Sequence, residues 1–133
     1  VKPVFADAFY FVACLNRADQ YHERVVEFAM RYTGKIVTTW SVLTETADAL
    51  ASSNMREKTH AFITALESDP AIIIASSQPD LLRRGLRLYG ERPDKRWTLT
   101  DCVSFVVMEE HGIKDALTGD HHFEQAGYRA VFK

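Results

Sequence analysis

Apolar residues return along this chain with two different periods, and the switches between them outline its elements. Pro3 to Ala6 is a short apolar run of strand type ending at Asp7, and Ala8 to Leu15 is apolar on nearly every side, as a buried helix is. Asn16-Arg17 interrupts it. From Ala18 to Tyr32 the apolar positions Tyr21, Val25, Phe28 and Ala29 share one helical face, and Thr33-Gly34 ends that pattern. Lys35 to Thr39, rich in β-branched residues, predicts a second strand. Ser41 suits the N-cap of a helix running to about Ala51, and Ser53-Asn54 separates it from another, Met55 to Glu67. Ala71 to Ala75 is an unbroken isoleucine run, the pattern of a strand buried on both faces. Pro79 opens a helix from Asp80 to Tyr89 that Gly90 closes, and Arg92 to Arg96 form a polar loop.

The segment from Trp97 to Gly127 is the most sharply punctuated. A helix begins near Thr98 or Thr100 and runs to His111, with Leu99, Cys102, Val103, Val106 and Val107 on its buried face and Gly112 as its stop. Ile113 to Thr118 then reads as a strand entering the Gly119-Asp120 turn, and Tyr128 to Phe132 as a last strand. Strands alternating with helices predict an α/β domain with a parallel sheet covered on both faces. No repeat or linker divides residues 1–133, which read as a single domain.

Composition narrows this picture. A chain of 133 residues that is 47% hydrophobic and 26% charged can build a substantial core. The net charge of −2 is no basic footprint, so any nucleic-acid contact must rest on a local patch. Cys14 and Cys102 lie in apolar helical runs without metal-ligand spacing and read as small core residues of a reducing compartment. No run is long enough to cross a membrane and no secretion signal is apparent, so the expected location is the cytoplasm.

Four acids fall where strands end. Asp7 closes the first strand, Glu45 lies in the helix after the second, Asp101 opens the long helix, and Asp120 follows the fourth strand. Parallel sheets bind ligands outside the carboxyl ends of their strands, where strand order reverses. Four carboxylates gathered there repel one another unless a cation shares the site, and hard oxygen donors suit Mg²⁺ or Mn²⁺. Such a site fits metal-assisted phosphodiester hydrolysis. Each acid also has a structural reading. Asp7 can cap the helix at Ala8, Thr98 with Asp101 fits a capping box, and Asp120 can cap a short helix from His121. Glu45 can be a solvated helix residue, with Asp48 one turn on as its substitute.

The segments VFADAFYFVACL, SVLTETADAL, TLTDCVSFVVMEEHGIKDALTGD and HFEQAGY, with the weaker DQYHERVVEF around His22, together resemble the PIN-domain ribonucleases, and within them the VapC-type toxins and their stand-alone relatives. The resemblance runs over essentially the whole chain. It implies a three-layer fold with a central parallel five-stranded sheet in the order 3-2-1-4-5, flanked by helices. It also implies a pocket in which Asp7, Glu45, Asp101 and Asp120 are the catalytic, metal-binding residues for Mg²⁺ or Mn²⁺. Thr98 and Thr118 match positions where the family supplies a hydroxyl near the site. The implied reaction is attack of a metal-activated water on an RNA phosphodiester, leaving a 5′-phosphate and a 3′-hydroxyl. The implied partners are an RNA substrate, a small antitoxin and a second copy of the chain in a homodimer, with no membrane. The pattern departs at Gly119, where a larger residue often stands, and the turn there is expected to be more flexible for it.

Other candidates are weaker. Arg83, Arg84 and Arg87, with Lys95 and Arg96 beyond, are the densest basic stretch and candidate RNA contacts, against the plainer reading of a solvated helix face. Trp40 and Trp97 can stack a base or simply pack. His121 and His122, as neighbours, are expected to point apart and to serve as surface or supporting groups; His22, His60 and His111 read as structural. The apolar surface for a dimer or an antitoxin is expected among the helices between Ala18 and Glu67. The competing function is a catalytically silent binding or assembly module on the same fold, which has no need of four clustered acids. A dinucleotide site needs GxGxxG after the first strand, and Asp7-Ala8-Phe9 stands there instead. A receiver domain needs adjacent acids there, which are also missing.

Overall fold

A computed structural model describes residues 1–76 and 78–133. Five parallel strands form one sheet in the order β3-β2-β1-β4-β5: β1 Val4–Ala6, β2 Ile36–Thr39, β3 Ile72–Ala75, β4 Asp115–Leu117 and β5 Arg129–Ala130. Helices α1 Ala8–Leu15, α2 His22–Arg31, α3 Trp40–Ala49, α4 Ser53–Glu67, α5 Pro79–Glu91, α6 Leu99–His111 and α7 His121–Gln125 complete a three-layer α/β fold. The topology is PIN-like, as the resemblance implied. Strand order reverses between β1 and β4, so the crevice of the fold opens beyond the carboxyl ends of β1, β2 and β4.

The core fills with the apolar faces that the periodicity picks out. Phe5, Val37 and Leu117 of the central strands are buried with Phe11, Val25, Leu43, Met108 and Phe123 from the helices. Helix α6 carries the capping box in full: the Thr98 hydroxyl accepts from the Asp101 amide and the Asp101 carboxylate accepts from the Thr98 amide, each at 3.0 Å. At its other end Gly112 takes a left-handed φ of 64°, a conformation open to residues without a Cβ.

Several boundaries differ from the sequence reading, each for a local reason. Helix α2 starts at His22 rather than Ala18, because the side chains of Asn16 and Asp19 accept from the Ala18 and Tyr21 amides and hold the segment in Asx turns. The N-cap of α3 is Thr39, whose hydroxyl accepts from Val42, so Ser41 lies inside the helix. Helix α4 begins at Ser53, which therefore does not separate it from α3. Gly90 does not close α5; the helix continues to Glu91 and stops at Arg92, which stands before Pro93 and so is biased out of the helical region. Strands β4 and β5 are shorter than Ile113 to Thr118 and Tyr128 to Phe132. The isoleucine run is not buried on both faces: β3 is an edge strand, and Ile73 is 40% exposed.

Candidate metal centre

The crevice brings together the loop ends that carry the four acids. Asp7 leaves β1, Glu45 sits one turn into α3, Asp101 opens α6, and Asp120 caps α7 just beyond β4. Asp7 and Asp101 are buried, Asp120 is half-buried, and Glu45 is exposed at the rim. The charges of Asp101 and Glu45 act on Asp7, and those of Asp101 and Asp120 act on Glu45. Asp48, one turn beyond Glu45, instead lines a groove between α3 and α4 with Trp40, Arg56 and His60.

Burial is the main reason that the Asp7 carboxyl is pushed up to about 7. The Thr118 hydroxyl and the Ala8 amide pull it down, and the charges of Asp101 and Glu45 push it further up. Glu45 is also raised, by desolvation first and then by the charges of Asp101 and Asp120, against a lowering by the Thr100 hydroxyl. Carboxylates held at this mutual cost suit a bound cation that removes it.

A chain of hydrogen bonds holds the acids in place. The buried Thr118 hydroxyl donates to Asp7 Oδ2 at 2.8 Å and accepts from the Asp120 amide at 3.1 Å. Asp120 Oδ1 accepts from the His122 amide at 2.9 Å, which is its capping role. His122 Nδ1 reaches Asp101 Oδ2 at 2.9 Å, the same oxygen that accepts from Thr98. The structural readings of Asp101 and Asp120 therefore hold, but each occupies a single oxygen. Among the described residues no hydrogen bond reaches Asp101 Oδ1 or Asp120 Oδ2. Asp7, by contrast, stands at the N-cap of α1 without a capping hydrogen bond.

The two histidines do not point apart. The α7 turn that Asp120 caps folds both rings back toward it, with His121 Nδ1 3.5 Å from Asp120 Oδ1 and His122 Nδ1 3.6 Å from Asp120 Oδ2. Among the described residues, Asp120, His121 and His122 are the group whose potential ligand atoms all lie within 4.8 Å of one another, a cluster able to coordinate a divalent ion. His121 is exposed, whereas the His122 side chain is 17% exposed. Phe123, fully buried between Phe5 and Phe105, pins α7 in place, and Gln125 accepts from Trp97 Nε1 at 3.0 Å. The sequence signal for His122 was the Asx cap: an acid capping at Asp120 fixes residue 122 in the first turn. That its ring meets Asp101 is set only by the docking of α7 on α6.

The remaining candidates divide. Trp97 is a packing residue, buried edge-on against Phe105, and Trp40 lines the α3/α4 groove. His22 is structural, its Nδ1 2.6 Å from the Ala13 carbonyl. Arg84 pairs with Glu110 of α6, while Arg83 and Arg87 are exposed on α5. Arg92, Lys95 and Arg96 line an open basin of about 890 Å³ that ends at Thr98, beside the Asp101 cap. Large exposed apolar residues lie mostly outside the expected Ala18–Glu67 stretch. Leu82, Leu86 and Tyr89 follow one face of α5, with Ile73 on β3, and among the described residues only Met30 falls within it. The apolar residues of α2 and α4, such as Val25, Phe28, Phe62 and Ile63, are drawn into the core instead.

Gly119 has a packing role that the sequence does not show. A Cβ there would stand 2.8 Å from two atoms of the Phe9 ring, and its φ is not positive. The Phe9 ring fills the space that a side chain at this position would occupy.

No family model matches the sequence, and no curated protein matches it. Among solved structures, the chain is similar to VapC20 of Mycobacterium tuberculosis, described as a sarcin–ricin loop cleaving toxin. The TM-score is 0.87 at 22% identity, over 96% of this chain and 98% of that one. It is also similar to FitAcB from Neisseria gonorrhoeae, with a TM-score of 0.64 at 16% identity, over 96% and 95% of the two chains. The likeness is one of fold. Among the described residues no helix is long and apolar enough to cross a membrane.

Proposed function

We propose that this chain is a divalent-metal-dependent endoribonuclease whose metal is held by Asp7, Glu45, Asp101 and Asp120. The observation that carries the reading is the division of labour within the carboxylates. Protein donors fix one oxygen of Asp101 and one of Asp120, while the other oxygen of each takes no hydrogen bond among the described residues. The donor set is oxygen-rich and hard, which fits Mg²⁺ or Mn²⁺. A bound ion of this kind supplies Lewis-acid stabilisation of phosphate charge and lowers the pKa of water.

The chain's own residues orient the acids and receive the substrate. Thr118 sets Asp7 against Asp120, and the Thr98 cap sets Asp101. Around so acidic a pocket a polyanion needs cationic anchors, since phosphate contacts supply most of its affinity. Arg92, Lys95 and Arg96 in the basin beside Thr98, with Arg83 and Arg87 on α5, are the candidate RNA contacts. The similarity of fold to a sarcin–ricin loop cleaving toxin supports RNA as the substrate class. It equally supports a small antitoxin as partner, and we extend the reading to a homodimer.

The test is RNA cleavage by the purified protein with Mn²⁺ or Mg²⁺, with chelator, and beside Asp101→Asn. The expected result is metal-dependent cleavage that chelator abolishes and the variant lowers by at least about a hundredfold, on the scale of losing a transition-state charge contact. Cleavage that survives in Asp101→Asn places the activity elsewhere. Absence of both cleavage and metal binding sinks the reading in favour of a silent module.

A further inference from the structure

We infer that His122 is a positioning residue of this site, fixing which oxygen of Asp101 is offered to the metal and tying Asp101 to Asp120. The inference rests on the metal-dependent reading above and concerns a residue outside the four acids. His122 Nδ1 lies 2.9 Å from Asp101 Oδ2, within hydrogen-bond reach, and we assign it as the N–H donor tautomer of this pair. Oδ2 already accepts from the Thr98 amide at 3.0 Å. Two donors saturate the lone pairs of that oxygen, which leaves Oδ1 as the free ligand atom and makes Asp101 a one-oxygen ligand. The same residue holds Asp120 from the other side through its backbone amide, 2.9 Å from Oδ1. One residue thus spans two carboxylates that would otherwise repel.

Nδ1 is committed to Asp101 and stands 3.6 Å from Asp120 Oδ2, so this nitrogen orients the carboxylate and any direct ligation would fall to Nε2, which the experiment below reads separately. The position of the ring is rigid. The next residue, Phe123, is fully buried and packs edge-on against Phe105 of α6, the helix that carries Asp101. Partners of this kind, which hydrogen-bond a ligating carboxylate, typically contribute about 10–100-fold to metal affinity or activity.

The experiment compares wild type, His122→Phe, His122→Gln and His122→Asn by Mn²⁺ calorimetry, RNA cleavage and melting in chelator. Phenylalanine fills the space without a donor. Glutamine places its amide near the Nε2 position, out of reach of Asp101, and serves if the phenylalanine variant does not fold. Asparagine puts an N–H where Nδ1 stands. All three keep the backbone amide that caps Asp120. The expected result is a loss of about 10–100-fold in Mn²⁺ affinity for the phenylalanine and glutamine variants, with recovery in the asparagine variant and little change of melting in chelator. Pulsed electron paramagnetic resonance of bound Mn²⁺ should show no directly coordinated nitrogen that the phenylalanine or glutamine substitution removes. Wild-type affinity in both the phenylalanine and glutamine variants overturns the inference, as does an asparagine variant no better than they are. A nitrogen coupling lost on substitution also overturns it, by making the imidazole a ligand. Wild type that takes up no Mn²⁺ brings down the ribonuclease reading itself, and this inference with it.

Discussion

Asp7 shows what a single residue gives up for this site. Its carboxyl is raised from 3.8 to about 7 by burial and by two neighbouring charges. Between about pH 4 and 7 the folded protein therefore keeps a proton that the unfolded chain has released, so metal-free stability falls as pH rises through that window. Above pH 7 the whole cost is present, up to about 4 kcal/mol for a shift of this size. Asp7→Asn keeps an acceptor for Thr118 and removes the charge. It should melt several degrees above wild type in chelator at pH 8, and no higher at pH 4. In Mn²⁺ at a hundredfold excess over Kd, wild type should gain about 2.7 kcal/mol and the variant nothing. Melting curves at the two pH values, with and without metal, check both statements. Equal melting of the two proteins in chelator at pH 8 refutes the stored cost. At this scale the gathering of the four acids at one crevice was legible in sequence, because each stands at or just after the end of a strand. His122 was not, because its partner is 21 residues away and meets it only through the packing of Phe123.

At the scale of elements, punctuation was read correctly where the chemistry is local and strong. Thr98 and Asp101 start α6 through their side chains, and Gly112 stops it by lacking one. Boundaries drifted where two signals competed: Thr39 displaced Ser41 as a cap, and Asx turns at Asn16 and Asp19 took four residues from an apparent helix. The packing at Gly119 was not legible in sequence, because its neighbour lies in another element. Its missing Cβ admits the Phe9 ring of α1, which also packs at 4.8 Å against Tyr21. Gly119→Ala should push the β4–α7 turn off α1, costing about 1–3 kcal/mol as overpacking does. It should weaken Mn²⁺ binding as Asp120 moves. Adding Phe9→Leu, which vacates the contact, should restore much of both. Calorimetry and melting of the single and double variants check this, and a fully additive double variant would refute the coupling.

Across the whole molecule, the parallel α/β architecture was legible from alternation alone, and the resemblance supplied the strand order. What alternation could not supply was how far each strand is covered, and the isoleucine run of β3 was read as buried on both faces for that reason. At the opposite border β5 is two residues long and carries the exposed Arg129, an edge blunted by shortness and charge. The β3 border has neither protection. Among the described residues its outer side pairs with no strand, and Ile73 is exposed on it. An open row of backbone donors and acceptors on an isoleucine-rich segment is a template for adding further strands. The aggregation-prone border expected on these grounds is thus the outer edge of β3, separate from the crevice that holds the four acids. Ile73→Lys should slow aggregation of the concentrated protein, measured by light scattering, while leaving melting within about 0.5 kcal/mol and Mn²⁺ affinity unchanged. Unaltered aggregation would move the weakness to another surface. If the prediction holds, solubility and metal binding can be tuned independently, one at the outer edge of β3 and the other beyond the carboxyl ends of the central strands.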